Sequence, residues 1–456
     1  MSISINQTRR SSLKQLLLSN PLLVSVMGIA LLCIAGGILL TLPVSNTANN
    51  ITPPLIAFFT ATSAVSTTGL TLVTTATYWT PFGQAIICAL IFLGGLGLVV
   101  SVMFTFWIMG NNLTLPDRLL VRTAIATEQL GDLSRLLRNI VLLDIIITIT
   151  GALLLIIPFC HYADQTITLW QSLFHSVSAF NTAGFDIVGP TGLIPFHNNI
   201  ILLTILTVEA VLGAISFSVL MESSKIIHFN HLSLNTKLVL VTSVIVYILA
   251  TLSILINESY IGTTFSNLSI GDKIFTSLYN GISASTTTGF STIDFSQVTI
   301  QTLIVTSVIM FIGGATGSTA GGIKINTFAV LVITFYSTLK GKNDVEIFGR
   351  KIDSIQIKQA LAVFLISLTV TVCGMMLIMA SNPDIPFEQI LFEVISAFGT
   401  VGLSSGALVN FSTFSQIVIT VLMFIGRVTP ISIIMVLSHP KKNPLYRYPK
   451  EYIRLG

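Results

Sequence analysis

The chain has 456 residues, 52% of them apolar and only 9% charged, with a formal net charge of +4. Its mean hydropathy is +0.88, and its charge content is far below the roughly 25% of a soluble chain. This excludes a water-exposed globule and makes a polytopic membrane protein the expectation. No Walker A sequence, G-x-S-x-G elbow or metal-ligand histidine spacing occurs, which points away from an enzyme and from ATP hydrolysis in this chain.

A cytoplasmic N-terminus, 1–19, carries Arg9, Arg10 and Lys14, and no Asp, Glu, Lys or Arg occurs over 15–116. The first apolar run, 22–44, exceeds the roughly 7–15 residues of a signal-peptide core and reads as a retained helix. A short half-apolar segment, 55–65, and a long one, 82–109, complete a first repeat over 20–110. The same order recurs with 139–160, 169–180 and 200–221 in repeat two (138–224). It recurs with 237–256, 274–285 and 301–339 in repeat three (235–339). Repeat four (355–437) has 359–380, 387–398 and 411–437, and a cytoplasmic tail, 438–456, follows.

The middle segments hold about a dozen residues, too few for a bilayer that needs about 20. The predicted fold is therefore all-α, with eight transmembrane helices and four re-entrant half-helices in a pseudo-fourfold arrangement. Lys and Arg gather in the segments this order places inside, among them Arg118, Arg122, Arg135, Lys225, Lys342 and Lys441. The outside receives Lys273 with Asp186, Glu258 and Asp294, which satisfies the positive-inside rule. The basic residues are spread over every inner loop, which disfavours a nucleic-acid patch. Cys33, Cys88, Cys160 and Cys373 sit in or beside apolar runs and read as small buried hydrophobes.

Each middle segment ends in the pattern Phe/Tyr-x-x-x-Ser-Ala-x-x-Thr-x-Gly-Leu/Phe. The four copies end in Thr67-Thr68-Gly69, Thr182-Ala183-Gly184, Thr287-Thr288-Gly289 and Thr400-Val401-Gly402, at near-equal spacing along the chain. Irregular backbone at membrane depth survives only where protein buries it or it lines a wet cavity. Four such loops can converge so that carbonyls and Thr hydroxyls replace a cation's water, the chemistry of potassium-channel filters. Glycine permits backbone angles that turn carbonyls inward, and the half-helix dipoles place their negative ends towards the centre. Small-residue helix packing accounts for one such motif but not for four on segments too short to span. A solute transporter that alternates access is the rival reading; the identical in-out-in order of all repeats argues against its inverted design.

The third repeat's last helix is interrupted by Gly313, Gly314, Gly317, Gly321 and Gly322, with Thr316, Ser318 and Thr319 between them and Lys324 after. Glycine costs about 1 kcal/mol against Ala in a helix interior, so 313–322 is predicted to unwind beneath the loops as an intramembrane gate. Arg427 either meets this stretch and lends it a positive charge, or pairs with a helix-end carbonyl or with Glu209. Such residues are costly in lipid and are functional candidates. Glu209 has no assignment, and Glu393 is placed to hydrogen-bond backbone behind the fourth loop.

These four loops, the run Gly313–Lys324 and Phe424-Ile425-Gly426-Arg427 resemble the Trk/Ktr/HKT superfamily of potassium transporters, and most closely its bacterial Ktr-type membrane subunit. The resemblance spans essentially the whole chain, and the eight-helix count suits the Ktr branch. It implies potassium as substrate at Gly69, Gly184, Gly289 and Gly402, since a Ser at the first of these accompanies sodium selectivity. It further implies sodium as a coupling or activating ion, a homodimer, and a cytoplasmic RCK-type nucleotide-binding ring. The location implied is a bacterial inner membrane with both termini cytoplasmic. Two departures are Leu212–Phe217, which lacks a second glycine, and Thr429, where the family commonly has glycine.

Overall fold

The structure, a computed structural model, describes residues 21–97, 133–160, 165–224, 226, 228–262, 264–266, 268–428, 449 and 451. In chain order the first repeat gives α1 (Pro21–Thr41), α2 (Pro54–Val65) and α3 (Pro81–Leu96). The second gives α4 (Leu133–Phe159), α5 (Gln165–Phe180), α6 (Ile200–Ala214) and α7 (Phe217–Ser223). The third gives α8 (Leu234–Tyr260), α9 (Ile270–Ser285), α10 (Ile300–Phe311) and α11 (Ile325–Leu339). The fourth gives α12 (Ser354–Ser381), α13 (Phe387–Gly399) and α14 (Thr413–Val428).

Local chemistry sets many of the helix starts. Proline occupies the first turn of α2 and α3, where its missing N–H is no loss. Side-chain oxygens of Asn199, Ser233, Ser269 and Thr299 accept the orphan N–H of Leu202, Thr236, Asp272 and Thr302 at the starts of α6, α8, α9 and α10. Among the described residues, Arg138–Phe159, Leu234–Tyr260 and Ser354–Ser381 are long and apolar enough to cross a bilayer. The α8 face carrying Val239, Val246, Ala250 and Ile254 is buried, while Val244, Ile248, Leu249 and Leu252 stand exposed. A helix apolar on both faces belongs in lipid. The molecule is a mostly helical, multi-pass membrane protein.

The first three short helices pack chiefly on the long helix before them, α2 on α1, α5 on α4 and α9 on α8, whereas α13 touches α12 but packs chiefly on α10 and α14. The helix after each short helix reaches onward to the short helix of the next repeat. So α3 meets α5, α6 meets α9, α10 meets α13, and α14 closes the circuit on α2.

Four sequence expectations need correction or completion. The run over 200–221 is not one helix: α6 stops at Ala214 and α7 leaves at 104°. Its last carbonyls are taken by another segment, since Gly213 O accepts from Thr319 N at 3.2 Å and Ala214 O from Ala315 N at 2.9 Å. Only Cys33 is fully buried; Cys88 is half-buried, while Cys160, just past the end of α4, and Cys373, on the outward side of α12, are exposed. The loop 341–358, expected inside, holds a two-stranded hairpin, β1 (Glu346–Ile347) with β2 (Arg350–Lys351), where Lys351 Nζ lies 2.7 Å from Asp344. Residues 1–20, most of the inner loop 111–138, the far ends of 82–109 and 411–437, and nearly all of the tail 438–456 lie outside the described residues.

Candidate functional site

The four loops share one backbone design. Each short helix ends with a hydrogen bond running back into its last turn. Thr68 N, Ala183 N, Thr288 N and Val401 N donate to Ser63 O, Ser178 O, Ser283 O and Ser396 O at 2.8–3.0 Å. In three copies the preceding threonine also donates inside that bond: Thr67, Thr182 and Thr400 to Ala64 O, Ala179 O and Ala397 O at 3.0–3.1 Å. This is the Schellman closure, whose left-handed residue is usually glycine. Here it is threonine, with φ of 52° at Thr67, 51° at Thr182, 56° at Thr287 and 50° at Thr400. A β-branched residue at positive φ is an outlier, and such strain collects at functional sites.

The motif glycines follow, with φ of 88° at Gly69, 65° at Gly184, 80° at Gly289 and 95° at Gly402. Each stands hard against the next loop. A Cβ on Gly69 would fall 2.3 Å from Ala183 O, on Gly184 2.2 Å from Thr288 O, on Gly289 2.0 Å from Val401 O, and on Gly402 2.1 Å from Thr68 O. The loops therefore form a closed ring in the order one, two, three, four, one. Side chains fix the turns as well: Ser178 Oγ donates to Phe185 O, Ser283 Oγ donates to Phe290 O, and Ser396 Oγ accepts from Gly402 N. The residues closing the motif, Leu70, Phe185, Phe290 and Leu403, are all buried. Thr287 Oγ1 and Thr400 Oγ1 are buried without a hydrogen-bond partner in the protein.

Beneath the ring lies the glycine-rich stretch. Residues 312–324 are not helical, and Gly317 and Gly322 have φ of 80° and 66°. Its ends are clasped together: Gly313 N donates to Ile323 O at 2.7 Å and Ile325 N to Gly314 O at 3.0 Å. Its centre is Thr319, which touches repeats one and two and, through Arg427, repeat four. Thr319 Oγ1 donates to Gly213 O at 2.9 Å and lies 3.3 Å from Thr182 Oγ1, and Thr319 O accepts from Thr67 Oγ1 at 3.4 Å. Gly321 lies so near Thr400 that a Cβ would fall 2.0 Å from Oγ1. Thus the segment seats against loops one, two and four.

Arg427 is buried and lies at this junction. Its Nη1 donates to Thr319 O, and its Nη2 donates to Gly94 O and, at 3.1 Å, to Gly95 O. The guanidinium therefore joins the segment under the ring to the end of α3; none of these bonds goes to Glu209. Lys324 Nζ donates to Ala320 O within the same segment. Thr316 N donates to Asn326 Oδ1 at 3.1 Å, and Ser318 Oγ to Ala315 O at 2.7 Å. Glu209 is buried elsewhere, between α4, α5 and α6, where it accepts from Ser176 Oγ. Glu393 is fully buried and accepts from Ser404 Oγ, Ser405 N and Ser405 Oγ at 2.7–3.0 Å.

Sequence reasoning missed Asn326 and Asn235. Asn326 Nδ2 donates to Asn235 Oδ1 at 2.6 Å and so ties the segment under the ring to the first turn of α8. Two asparagines in apolar helices were the available signal. It missed, too, that the α6 carbonyls are surrendered to this segment, for which no residue pattern gives warning.

Residues 34–445 match the family model TrkH, described as cation transport protein. The chain is 35% identical to the Ktr system potassium uptake protein B of Bacillus subtilis (strain 168), over 95% of this chain and 96% of that protein. It is 32% identical to the potassium/sodium uptake protein NtpJ of Enterococcus hirae, over 96% of this chain and 97% of that protein. The crystal structure of the potassium transporter TrkH from Vibrio parahaemolyticus superposes with a TM-score of 0.70 at 20% identity, covering 91% of this chain and 84% of that one. At that identity the likeness speaks for the fold.

Proposed function

The chain belongs to the TrkH family of cation transport proteins, and from that premise we propose that it is the potassium-translocating subunit of a bacterial uptake system. The observation that carries the reading is the closed ring of loops. Each motif glycine stands against the middle carbonyl of its neighbour, so four strands of backbone surround one axis. Carbonyl oxygens and the hydroxyls of Thr67, Thr182, Thr287 and Thr400 then substitute for the water of a dehydrated monovalent cation. The motif brings no carboxylate to the ring, which suits a monovalent rather than a divalent ion.

In this reading the segment 313–322, held by Arg427, is the gate. It lies across the path below the ring and must move for a hydrated ion to pass. Eight spans complete the fold, with α10 and α11 together forming one broken span and α6 and α7 another. Several relatives are named as proteins of a Ktr system, which supports a partner subunit; a cytoplasmic RCK-type nucleotide-binding ring fits that role, and the membrane subunit itself pairs as a homodimer in this reading. Sodium dependence is supported by the name of the Enterococcus relative alone.

Rubidium uptake into potassium-starved cells lacking their own uptake systems tests the function. Saturable uptake that appears with this chain, and that potassium competes away more effectively than sodium, is expected. Uptake no greater than in empty cells would overturn it.

A further inference from the structure

One position recurs behind the ring and has no part in it. It directly follows the motif aromatic: Thr60 after Phe59, His175 after Phe174, Asn280 after Tyr279 and Glu393 after Phe392. All four residues are fully buried. In three repeats the side chain crosses from the short helix to the strand that leaves the ring just beyond the motif glycine. Glu393 Oε1 holds Ser404 Oγ at 2.7 Å, Ser405 N at 2.8 Å and Ser405 Oγ at 3.0 Å. Asn280 Oδ1 accepts from Ser291 Oγ and Thr292 N at 3.0 and 3.1 Å, and its Nδ2 donates to Thr292 Oγ1 at 2.8 Å. His175 Nε2 lies 3.2 Å from Asp186 Oδ1, which in turn accepts from Val188 N at 2.6 Å.

Three chemically different side chains thus span the same interval, each reaching the residue 11 or 12 positions on. Residue identity is not shared, but the contact is. Repeat one departs from the pattern: Thr60 Oγ1 is buried without a partner, and so is Ser63 Oγ, the counterpart of Ser178 and Ser283.

We propose that His175 with Asp186, Asn280 and Glu393 are positioning residues that fix the outer half of the ring in repeats two, three and four, and that quarter one is held without such a strut. The proposal rests on the filter reading of the ring. A ring that replaces a cation's hydration shell must keep its oxygens in place, and that duty falls to supporting side chains locked by their own hydrogen bonds. Removing the acceptor behind one quarter frees Ser405 N or Thr292 N to turn, and the carbonyls beside them turn too.

Concentration-dependent rubidium uptake, with sodium as competitor, provides the test in full-length protein whose membrane amount is quantified. Glu393→Ala and Asn280→Ala are expected to raise the KM for rubidium about tenfold, the effect of losing a buried hydrogen-bond acceptor. They should also reduce discrimination against sodium, while the maximal rate per inserted molecule changes far less. Glu393→Gln keeps one oxygen facing Ser405 and should restore most of the affinity. Thr60→Val removes a hydroxyl without a partner and should leave both quantities as in the wild type. Should the alanine variants fail to insert, Thr292→Val, nearly isosteric and lacking only the oxygen that Asn280 holds, is expected to raise KM about threefold. Inserted variants with wild-type KM and sodium discrimination would overturn the struts. A wild-type chain without saturable uptake would instead overturn the filter reading.

Discussion

A threonine at φ near +50° is a poor choice for a helix end, since a left-handed backbone costs an L-residue with a Cβ about 1–2 kcal/mol. Four such threonines, Thr67, Thr182, Thr287 and Thr400, stand where glycine would close the same turn at lower cost. In the filter reading their hydroxyls supply the reason. Thr287 Oγ1 has no partner in the protein, so Thr287→Gly is expected to leave the unfolding temperature in detergent nearly unchanged, because relief of strain offsets the added chain entropy. The same variant should lose about tenfold in apparent rubidium affinity. Unchanged affinity would mean that the hydroxyl does not face the ion. The glycines two residues on behave oppositely. Gly69→Ser combines a φ of 88° with a Cβ 2.3 Å from Ala183 O, so loop two must move. Rubidium KM should rise by about tenfold and sodium exclusion should weaken, as read by competition uptake. Much of this was legible in the sequence, because a Thr-x-Gly on a segment too short to span announces irregular backbone. The positive φ at Thr rather than at Gly alone was not, since threonine rarely closes a helix this way.

At the scale of elements, the segment between α10 and α11 shows where sequence reading reaches and where it stops. Five glycines within a dozen residues predicted an unwound stretch, and residues 312–324 are non-helical. The break between α6 and α7 was not predicted, because Leu212–Phe217 holds one glycine and no proline. It arises from tertiary demand: Gly213 O and Ala214 O turn towards Thr319 and Ala315, and a Cβ on Gly213 would fall 1.8 Å from Phe180 O. Arg427 belongs to the same junction, joining α14, the glycine-rich segment and the end of α3 through carbonyls 108 and 333 residues away. A guanidinium spans two acceptors on different elements; an ammonium is a point charge on a flexible stem. Arg427→Lys should therefore loosen the segment while keeping the charge, and Arg427→Ala should remove both. If the segment is a gate held shut by these bonds, both variants raise the maximal uptake rate, alanine more than lysine, with the ion preference left to the ring. If only the charge matters, lysine matches the wild type. Equal, unchanged rates in both would make the contact a packing feature.

The whole molecule is an arrangement that the sequence implies in number but not in order. Near-equal spacing of four motifs gives four quarters. Nothing in that spacing says that loop four lies against loop one, or that α14 packs on α2; residues 333 or more positions apart must meet for the ring to close. The hairpin in 341–358 was equally hidden, because two-residue strands carry no periodic pattern. Orientation across the membrane, in contrast, rests on charge alone. Lys340, Lys342, Arg350 and Lys351 cluster beyond α11, while Glu258, in the last turn of α8, and Asp294, in the loop before α10, stand at the opposite ends of the helices. Insertion favours the basic loops on the cytoplasmic side, an expectation under which the ring's strands leave outward and the Arg427 junction faces inward. Cysteine substitution at exposed Lys342 and Ser296 examines this in a background lacking the four native cysteines. An impermeant maleimide added to intact cells should label Ser296→Cys and spare Lys342→Cys until the membrane is opened. Reversed labelling would turn the molecule over and put the glycine-rich segment above the ring rather than below it. A cytoplasmic partner would then have no route to that segment. Labelling of both sites from outside would break the alternation of loops on which the quarters depend, because one more or one fewer span between residues 296 and 342 moves α10 and α11 out of register with their counterparts.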